Sequence, residues 1–150
     1  MPTIEGPPPR SGSSGPEDSA LNPHPNVSLA QEAWNAVSNG DTEALRKHFS
    51  PDVVWHATAM GTPWSGDHKG TDAILDFLAR IGESVERFDV SLEDILVSEA
   101  RFAYVMQIHA ERGGRPLDVV YLLTAQVEGG VIREVWTTPL DPARLRAFWN

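Results

Sequence analysis

Apolar residues in the first half of the chain recur every three to four positions, a spacing typical of helices with one buried face. A capping box at 28–31 (SLAQ) starts the first such stretch, and Asn39-Gly40 ends it. Asp41 caps a second, shorter stretch, and Thr71 caps a third. The pattern therefore predicts three helices before the main run of strands.

The second half alternates apolar and polar residues, which is the period of strands that are buried on one face. Asp141-Pro142 predicts a short closing helix, because a capping side chain followed by proline is a common helix start. Helices followed by a run of antiparallel strands predict an α+β fold. Strands are predicted at 53–57, Arg87–Val97, Arg101–Arg112, 117–128 and 131–138, with a glycine-punctuated loop at 58–70.

A Gly-Gly pair stands between each of the last two pairs of strands, and both pairs predict hairpins with two-residue loops. Counting outward from the loops sets the register. Met106 then faces Tyr121 in the first hairpin, and Leu123 faces Trp136 in the second. Alternation collects one largely apolar inner face, which the helices are expected to cover: Phe102, Tyr104, Met106, Ile108, Val119, Tyr121, Leu123, Ala125, Val127, Ile132, Glu134, Trp136 and Thr138.

The opposite, outer face of the predicted meander keeps apolar residues at its centre: Val105, Val120, Leu122 and Val135. Such a face favours a homodimer. The alternative is that the terminal helix or the N-terminal segment covers it. His109 and Asp118 lie opposite each other on this face, which indicates a cross-strand ion pair rather than a catalytic dyad.

Composition separates a tail from one folded domain. Residues 1–25 hold seven of the 12 prolines and few large apolar side chains, so we expect a disordered tail followed by a single domain over 26–150. The chain has no cysteine, which excludes disulfide scaffolds and thiolate metal sites. A formal net charge of −9 argues against binding to nucleic acid or to an anionic membrane. Without a membrane-spanning stretch or a signal-peptide pattern, the sequence predicts a soluble cytoplasmic protein.

Two residues are the main candidates for acid–base chemistry. Glu134 is the one charged residue on the predicted inner face, where desolvation would suit it to proton transfer; the alternative is a wet or salt-bridged carboxylate at the rim. His56 follows Trp55, so if Trp55 points into the core, alternation makes His56 an outward-facing structural histidine. A bulge before the 58–70 loop would turn it inward, and it remains a candidate.

The remaining candidates would hold a ligand. Tyr104 and Tyr121 lie on the predicted inner face, where each hydroxyl can donate either to a ligand oxygen or to a backbone carbonyl. The 60–70 segment is a candidate lid. The scattered histidines lack metal-ligand spacing, so neither a metal nor a cofactor is expected. The predicted substrate-binding residues are the bulky side chains expected around an apolar pocket: Trp34, Trp55, Trp64, Met106, Leu123 and Trp136.

Local motifs across 26–150 resemble the nuclear transport factor 2-like (NTF2-like) superfamily, and within it the SnoaL-like polyketide cyclase group. They are Asn39-Gly40-Asp41 after the first helix, PDVVWH at 51–56, GDHKG at 66–70, GVIREVW at 130–136 and AFW at 147–149. The resemblance implies a cone-shaped, curved antiparallel sheet wrapped by three N-terminal helices around an apolar pocket. It also implies enzymes that mostly work without a cofactor.

The chain departs from the catalytic patterns that the resemblance brings with it. Compared with ketosteroid isomerases, Ala57, Leu123 and Ala33 stand where that family has its base and its oxyanion-binding groups. Thr137 follows the tryptophan of the last strand, where polyketide cyclases commonly have an acid. Glu134 is then the acid left in a candidate pocket position.

The sequence thus predicts a cofactor-independent cyclase or isomerase that acts on a medium-sized apolar metabolite, for example a polyketide. Glu134 would transfer protons, while Tyr104, Tyr121 or His56 would orient a substrate oxygen. One alternative is an epoxide hydrolase or epoxide-opening cyclase, which normally needs two pocket carboxylates. The other is a protein that binds a hydrophobic ligand without chemistry.

Overall fold

The computed structural model of the chain describes residues 3–5, 24–57 and 63–150. The helices are α1 (Pro25–Ser38), α2 (Thr42–His48), α3 (Thr71–Glu83) and α4 (Pro142–Trp149). The strands are β1 (Thr3–Glu5), β2 (Phe49–Ala57), β3 (Gly66–Lys69), β4 (Arg87–Val97), β5 (Arg101–Arg112), β6 (Arg115–Glu128) and β7 (Val131–Pro139).

All seven strands join one sheet in the order β1-β4-β5-β6-β7-β2-β3. Strands β4 to β7 form the predicted antiparallel meander, whereas β2 runs parallel to β7 and β1 runs parallel to β4. The predicted α+β fold, with three helices before the meander and a short one at the end, is confirmed. None of the helices in the described part of the chain is both long and apolar enough to cross a membrane.

The first helix begins one turn earlier than the capping box at 28–31 suggests. His24 caps it, because its Nδ1 accepts a hydrogen bond from the Asn26 amide at 3.1 Å, and Pro25 occupies the first helical position. The buried Asn26 side chain then donates to the carbonyls of Ser98 and Glu99, at 2.8 and 3.0 Å. These bonds tie the start of α1 to the turn between β4 and β5.

The loop predicted at 58–70 contains a strand. Gly66–Lys69 pairs antiparallel with the end of β2, so that Asp67 lies beside His56 and His68 beside Trp55. Gly66 has a φ of +123°, a conformation that its missing Cβ permits. The first part of the candidate lid, 60–62, lies outside the described residues.

Both hairpins form at the predicted Gly-Gly loops, but the predicted register is correct only for the first hairpin. The first register is confirmed, with Met106 opposite Tyr121 and His109 opposite Asp118. The second is wrong after its first two pairs, because a bulge between Gln126 and Val127 leaves Arg133 as an extra residue.

One extra residue reverses which face every later side chain occupies. Beyond the bulge Glu134 pairs with Gln126, and Trp136 pairs with Thr124, on the outer face. Val135 and Thr137 take the inner face and are buried. The predicted inner positions of Glu134 and Trp136 are therefore wrong.

The core lies between the inner face and the helices. Phe102 and Val135 are each 2% exposed there, and the Tyr104 hydroxyl donates to the carbonyl of Ala30 in α1. Helix α4 contributes Leu145 and Phe148 to the same core. Helix α4 therefore does not cover the outer face, as one of the two alternatives to a homodimer required. The homodimer itself stays a prediction.

Candidate functional site

A cavity of about 1010 Å³ lies between the inner face of the sheet and the helices. Its wall is built from all four helices and from strands β2 and β4 to β7, whose alternation directs apolar side chains to the same side of the sheet. Most of the large side chains that line it are aromatic or long and apolar: Trp34, Trp55, Trp64, Phe77, Phe88, Met106, Ile108, Tyr121 and Trp149. We call this space the inner cavity.

Two of the polar side chains on the sheet wall of the inner cavity belong to β6 and β7. Tyr121 lines it, and burial raises the pKa of its phenol above the usual range, so the hydroxyl stays protonated and can donate. Thr137 also lines it, and its Oγ1 accepts a hydrogen bond from Trp55 Nε1 at 3.2 Å. Both side chains are uncharged.

Edge-to-face aromatic packing holds the indole rings of the wall. Trp34 packs against Tyr104 with ring centroids 5.2 Å apart, and Trp64 packs against Trp149 at 5.4 Å. Trp149 is also covered by Arg112, whose guanidinium lies 5.4 Å from the ring and donates to the Trp149 carbonyl at 2.9 Å. These contacts fix the shape of the inner cavity from several elements at once.

Exposed residues at the end of α1 and the end of α3 also line the inner cavity, and they mark its opening. Asp41, Glu83 and Glu86 place carboxylates there, and beside them the cation of Arg87, which also lines the cavity, is paired with Asp89. The C-terminal ends of α1 and α3 add the negative ends of two helix dipoles, while the positive end of α2 at the same place is capped by Asp41. The opening is therefore electronegative, whereas the interior is apolar.

A separate polar cluster lies on the outer face. The ring of His56 is placed between two carboxylates, with Nδ1 2.7 Å from Asp67 Oδ1 and Nε2 2.8 Å from Glu134 Oε2. Trp136 stacks on the ring at 5.5 Å between centroids. The hydrogen bond to Asp67, and after it the one to Glu134, raises the pKa of His56 against the opposing effect of partial burial. We call Asp67, His56 and Glu134 the His56 clamp.

The four predicted catalytic residues do not share one site: they lie in the inner cavity, in the core and on the outer face. Tyr121 lines the inner cavity, while Tyr104 is buried in the core and donates to a backbone carbonyl. Glu134 and His56 belong to the clamp on the outer face, so the sheet lies between them and the inner cavity. The interpretation of His56 as an outward-facing, satisfied histidine agrees with these contacts.

Four of the six predicted substrate-binding residues line the inner cavity: Trp34, Trp55, Trp64 and Met106. The other two do not. Leu123 is buried in the core, and Trp136 lies on the outer face because of the bulge in β7. Whether the residues that line the cavity contact a substrate stays a prediction.

Sequence reasoning missed Thr137 and Trp149 as cavity residues. Thr137 follows the tryptophan of the last strand, and the incorrect register placed it on the outer face. Trp149 belongs to the closing AFW motif, which marked the family but carried no register information. Over residues 24–57 and 63–150, no three histidine or carboxylate side chains are grouped so as to hold a metal ion.

Comparison with known proteins assigns the fold to a family. An uncharacterised protein from Mycobacterium tuberculosis is 28% identical over 128 residues, which cover 82% of this chain and 95% of that protein. Bal32a, from a soil-derived mobile gene cassette, is 26% identical with a TM-score of 0.76 over 84% of this chain and 97% of its own. An NTF2-like protein of unknown function from Burkholderia pseudomallei K96243 is 16% identical with a TM-score of 0.73 over 85% of this chain and 98% of its own. Because the sequence model of the SnoaL-like domain matches residues 30–135, the chain belongs to the SnoaL-like family.

Proposed function

We propose that this protein binds a medium-sized, largely apolar small molecule with a carbonyl oxygen in the inner cavity, and that it promotes cyclisation or isomerisation of that molecule. The observation that carries the proposal is the inner cavity itself. Its volume of about 1010 Å³ lies at the upper end of the range of roughly 300–1,000 Å³ for ligand pockets. Membership of the SnoaL-like family supports a scaffold of the cyclase or isomerase type.

The chemistry that fits this wall is hydrogen-bond donation combined with conformational restriction. A protonated Tyr121 can donate to a carbonyl oxygen, and the bond strengthens as negative charge develops on that oxygen during enolisation, in which solvent water takes the proton from the neighbouring carbon. The fixed aromatic wall restricts a flexible chain to few conformations, which lowers the entropic cost of closing a ring.

Proton abstraction by a side chain deep in the inner cavity has less support. The carboxylates that line the cavity belong to residues at or near its opening, and Glu134 with His56 lies across the sheet. An epoxide-opening reaction, which needs an acid and a base at one substrate, is disfavoured for the same reason. The absence of an interior acid–base pair among the described residues favours ligand binding without turnover as the second candidate.

Tyr121→Phe is expected to weaken binding of the neutral ketone probe prodan by about fivefold, since a lost hydrogen bond is worth about 1 kcal/mol. Prodan emission is expected to shift to the blue, because its excited state responds to a donor at the carbonyl. N-phenyl-1-naphthylamine, which has no carbonyl, provides the control, and its affinity is expected to remain the same. Equal prodan affinities in both proteins would contradict the role of Tyr121.

Turnover and binding are separated by following the keto–enol conversion of an apolar 1,3-diketone such as benzoylacetone by ultraviolet absorbance. An accelerated conversion that Tyr121→Phe reduces favours catalysis. Binding with an unchanged conversion rate favours the binding protein. Failure of the wild-type protein to bind either fluorescent probe would contradict the proposed function.

The electronegative opening predicts discrimination against anionic ligands. 1-Anilinonaphthalene-8-sulfonate has the skeleton of N-phenyl-1-naphthylamine plus one sulfonate. We expect it to bind at least about fivefold more weakly than N-phenyl-1-naphthylamine, because each pair of like charges near 4 Å costs about 1 kcal/mol in water. Glu83→Gln and added salt should each reduce this difference in affinity between the two probes. Glu93 is exposed on β4, and the control Glu93→Gln should leave the difference unchanged. A preference for the sulfonate would contradict the prediction.

A further inference from the structure

We infer that the His56 clamp is a positioning device for the inner cavity: it ties β3 to β7 on the outer face and thereby holds Trp64 in the cavity wall on the other face. This inference rests on the proposed binding of a ligand in the inner cavity. It assigns a role to a cluster of three titratable side chains that the proposed chemistry leaves unused.

Strand β3 needs such support because it is short and lies at the edge of the sheet. It has four residues and pairs only with β2 among the described strands. Edge strands of this length gain little stability from their own hydrogen bonds. Side-chain contacts on its two faces therefore contribute much of what holds it in place.

On the inner side, β3 is coupled to the cavity wall. The His68 ring stacks on Phe77 of α3 with centroids 4.0 Å apart, and its Nε2 lies 3.4 Å from the carbonyl oxygen of Trp64. Trp64 comes two residues before the strand, lines the inner cavity and packs on Trp149. A displacement of β3 would therefore move an aromatic wall of the cavity.

On the outer side, the clamp joins three strands through one ring. Asp67 belongs to β3, His56 to β2 and Glu134 to β7. Both ring nitrogens approach carboxylate oxygens within hydrogen-bond distance, so the arrangement is satisfied when both carry protons. Two further side chains lie beside the ring on the outer face. Trp136 of β7 stacks on it, and Lys69 of β3, which pairs in register with Val54, brings a positive charge to the same face two residues after Asp67.

Loss of the ring proton removes one of the two donors and leaves a lone pair facing a carboxylate. The carboxylates raise the pKa of His56 above the value of about 6.5 for an unfolded histidine. The stabilisation is therefore fully present below pH about 6.5 and is lost as the pH rises through the higher pKa of the folded protein. The clamp should therefore hold β3 most firmly below pH about 6.5 and weaken as the pH rises through the raised pKa of His56.

The test compares His56→Gln and Asp67→Asn with His109→Gln. His109 is the matched control, because it forms a histidine–aspartate pair with Asp118 on the same outer face but on β5 and β6. The readouts are amide hydrogen exchange of residues 63–70 at pH 7 and the affinity for N-phenyl-1-naphthylamine between pH 5.5 and 9, a probe that stays uncharged over this range.

We expect exchange at 63–70 to rise about tenfold or more in both clamp variants, corresponding to about 1.4 kcal/mol of lost local stability. We also expect wild-type affinity to fall severalfold with rising pH, and the affinity of His56→Gln to be weak and independent of pH. His109→Gln should match the wild type in both readouts.

Unchanged exchange in both clamp variants, or faster exchange with unchanged affinity, would overturn the inference. If the wild type binds no probe at any pH, the proposed function fails. Exchange at 63–70 then still reports whether the clamp holds β3.

Discussion

Ala110→Trp is expected to weaken the binding of N-phenyl-1-naphthylamine by about tenfold or more. Ala110 is on the inner face of β5, is 3% exposed and lines the inner cavity, so an indole at this position would occupy space that the ligand needs. Displacing about 60 Å² of apolar contact, at about 25 cal/mol per Å², costs about 1.5 kcal/mol, which is about tenfold in affinity.

Fluorescence titration measures this effect, and Ala103→Trp is the control. Ala103 belongs to the same strand but faces outward, so the same enlargement there should leave the affinity unchanged. Thermal unfolding of both variants shows whether Ala110→Trp weakens binding by filling the cavity of a stable protein or by overpacking and destabilising the core. A wild-type affinity in folded Ala110→Trp would show that the probe binds elsewhere.

Val135→Asp is expected to lower the free energy of unfolding by about 4 kcal/mol or more. Val135 is 2% exposed on the inner face of β7. A fully buried carboxyl is shifted by roughly 3–5 pKa units, each worth about 1.4 kcal/mol, and the lost burial of valine adds to this. Urea unfolding measures the loss.

Thr138→Asp, three residues further along β7, is the control for this prediction. Thr138 is exposed on the outer face, so a carboxylate there remains hydrated and should cost little. The register expected from the sequence alone predicts the reverse, because it places Thr138 inside and Val135 outside. A stable Val135→Asp with an unstable Thr138→Asp would contradict the bulge in β7.

The registers of the two hairpins show which features of the sheet local sequence can predict and which it cannot. Both Gly-Gly loops were recognisable, because positive φ at two successive positions strongly favours glycine. Counting was correct along β5 and β6 but failed in β7 after Ile132. A single-residue bulge alters no local motif, and the alternating pattern of β7 is compatible with either face.

The candidate site was predictable from the sequence only where local periodicity determines which side of a residue is buried. Trp34, Trp55, Met106 and Tyr121 were expected around a pocket, because each lies in a helix or strand whose period determines its buried side. The His56 clamp was not predicted as a unit. It joins residues 11 and 78 positions apart in the chain, and it requires both the β2–β3 pairing and the bulge in β7.

The sequence by itself determined the α+β class, the order of the helices, the meander with its two loops and most of the aromatic wall, because these follow from periodicity and from the conformational needs of glycine, proline and capping residues. Only the tertiary structure decided that Val135 and Thr137 face inward while Glu134 and Trp136 face outward. That choice depends on the parallel pairing of β2 with β7 and on burying apolar side chains against the helices. Such long-range interactions outweigh the small local cost of one bulged residue.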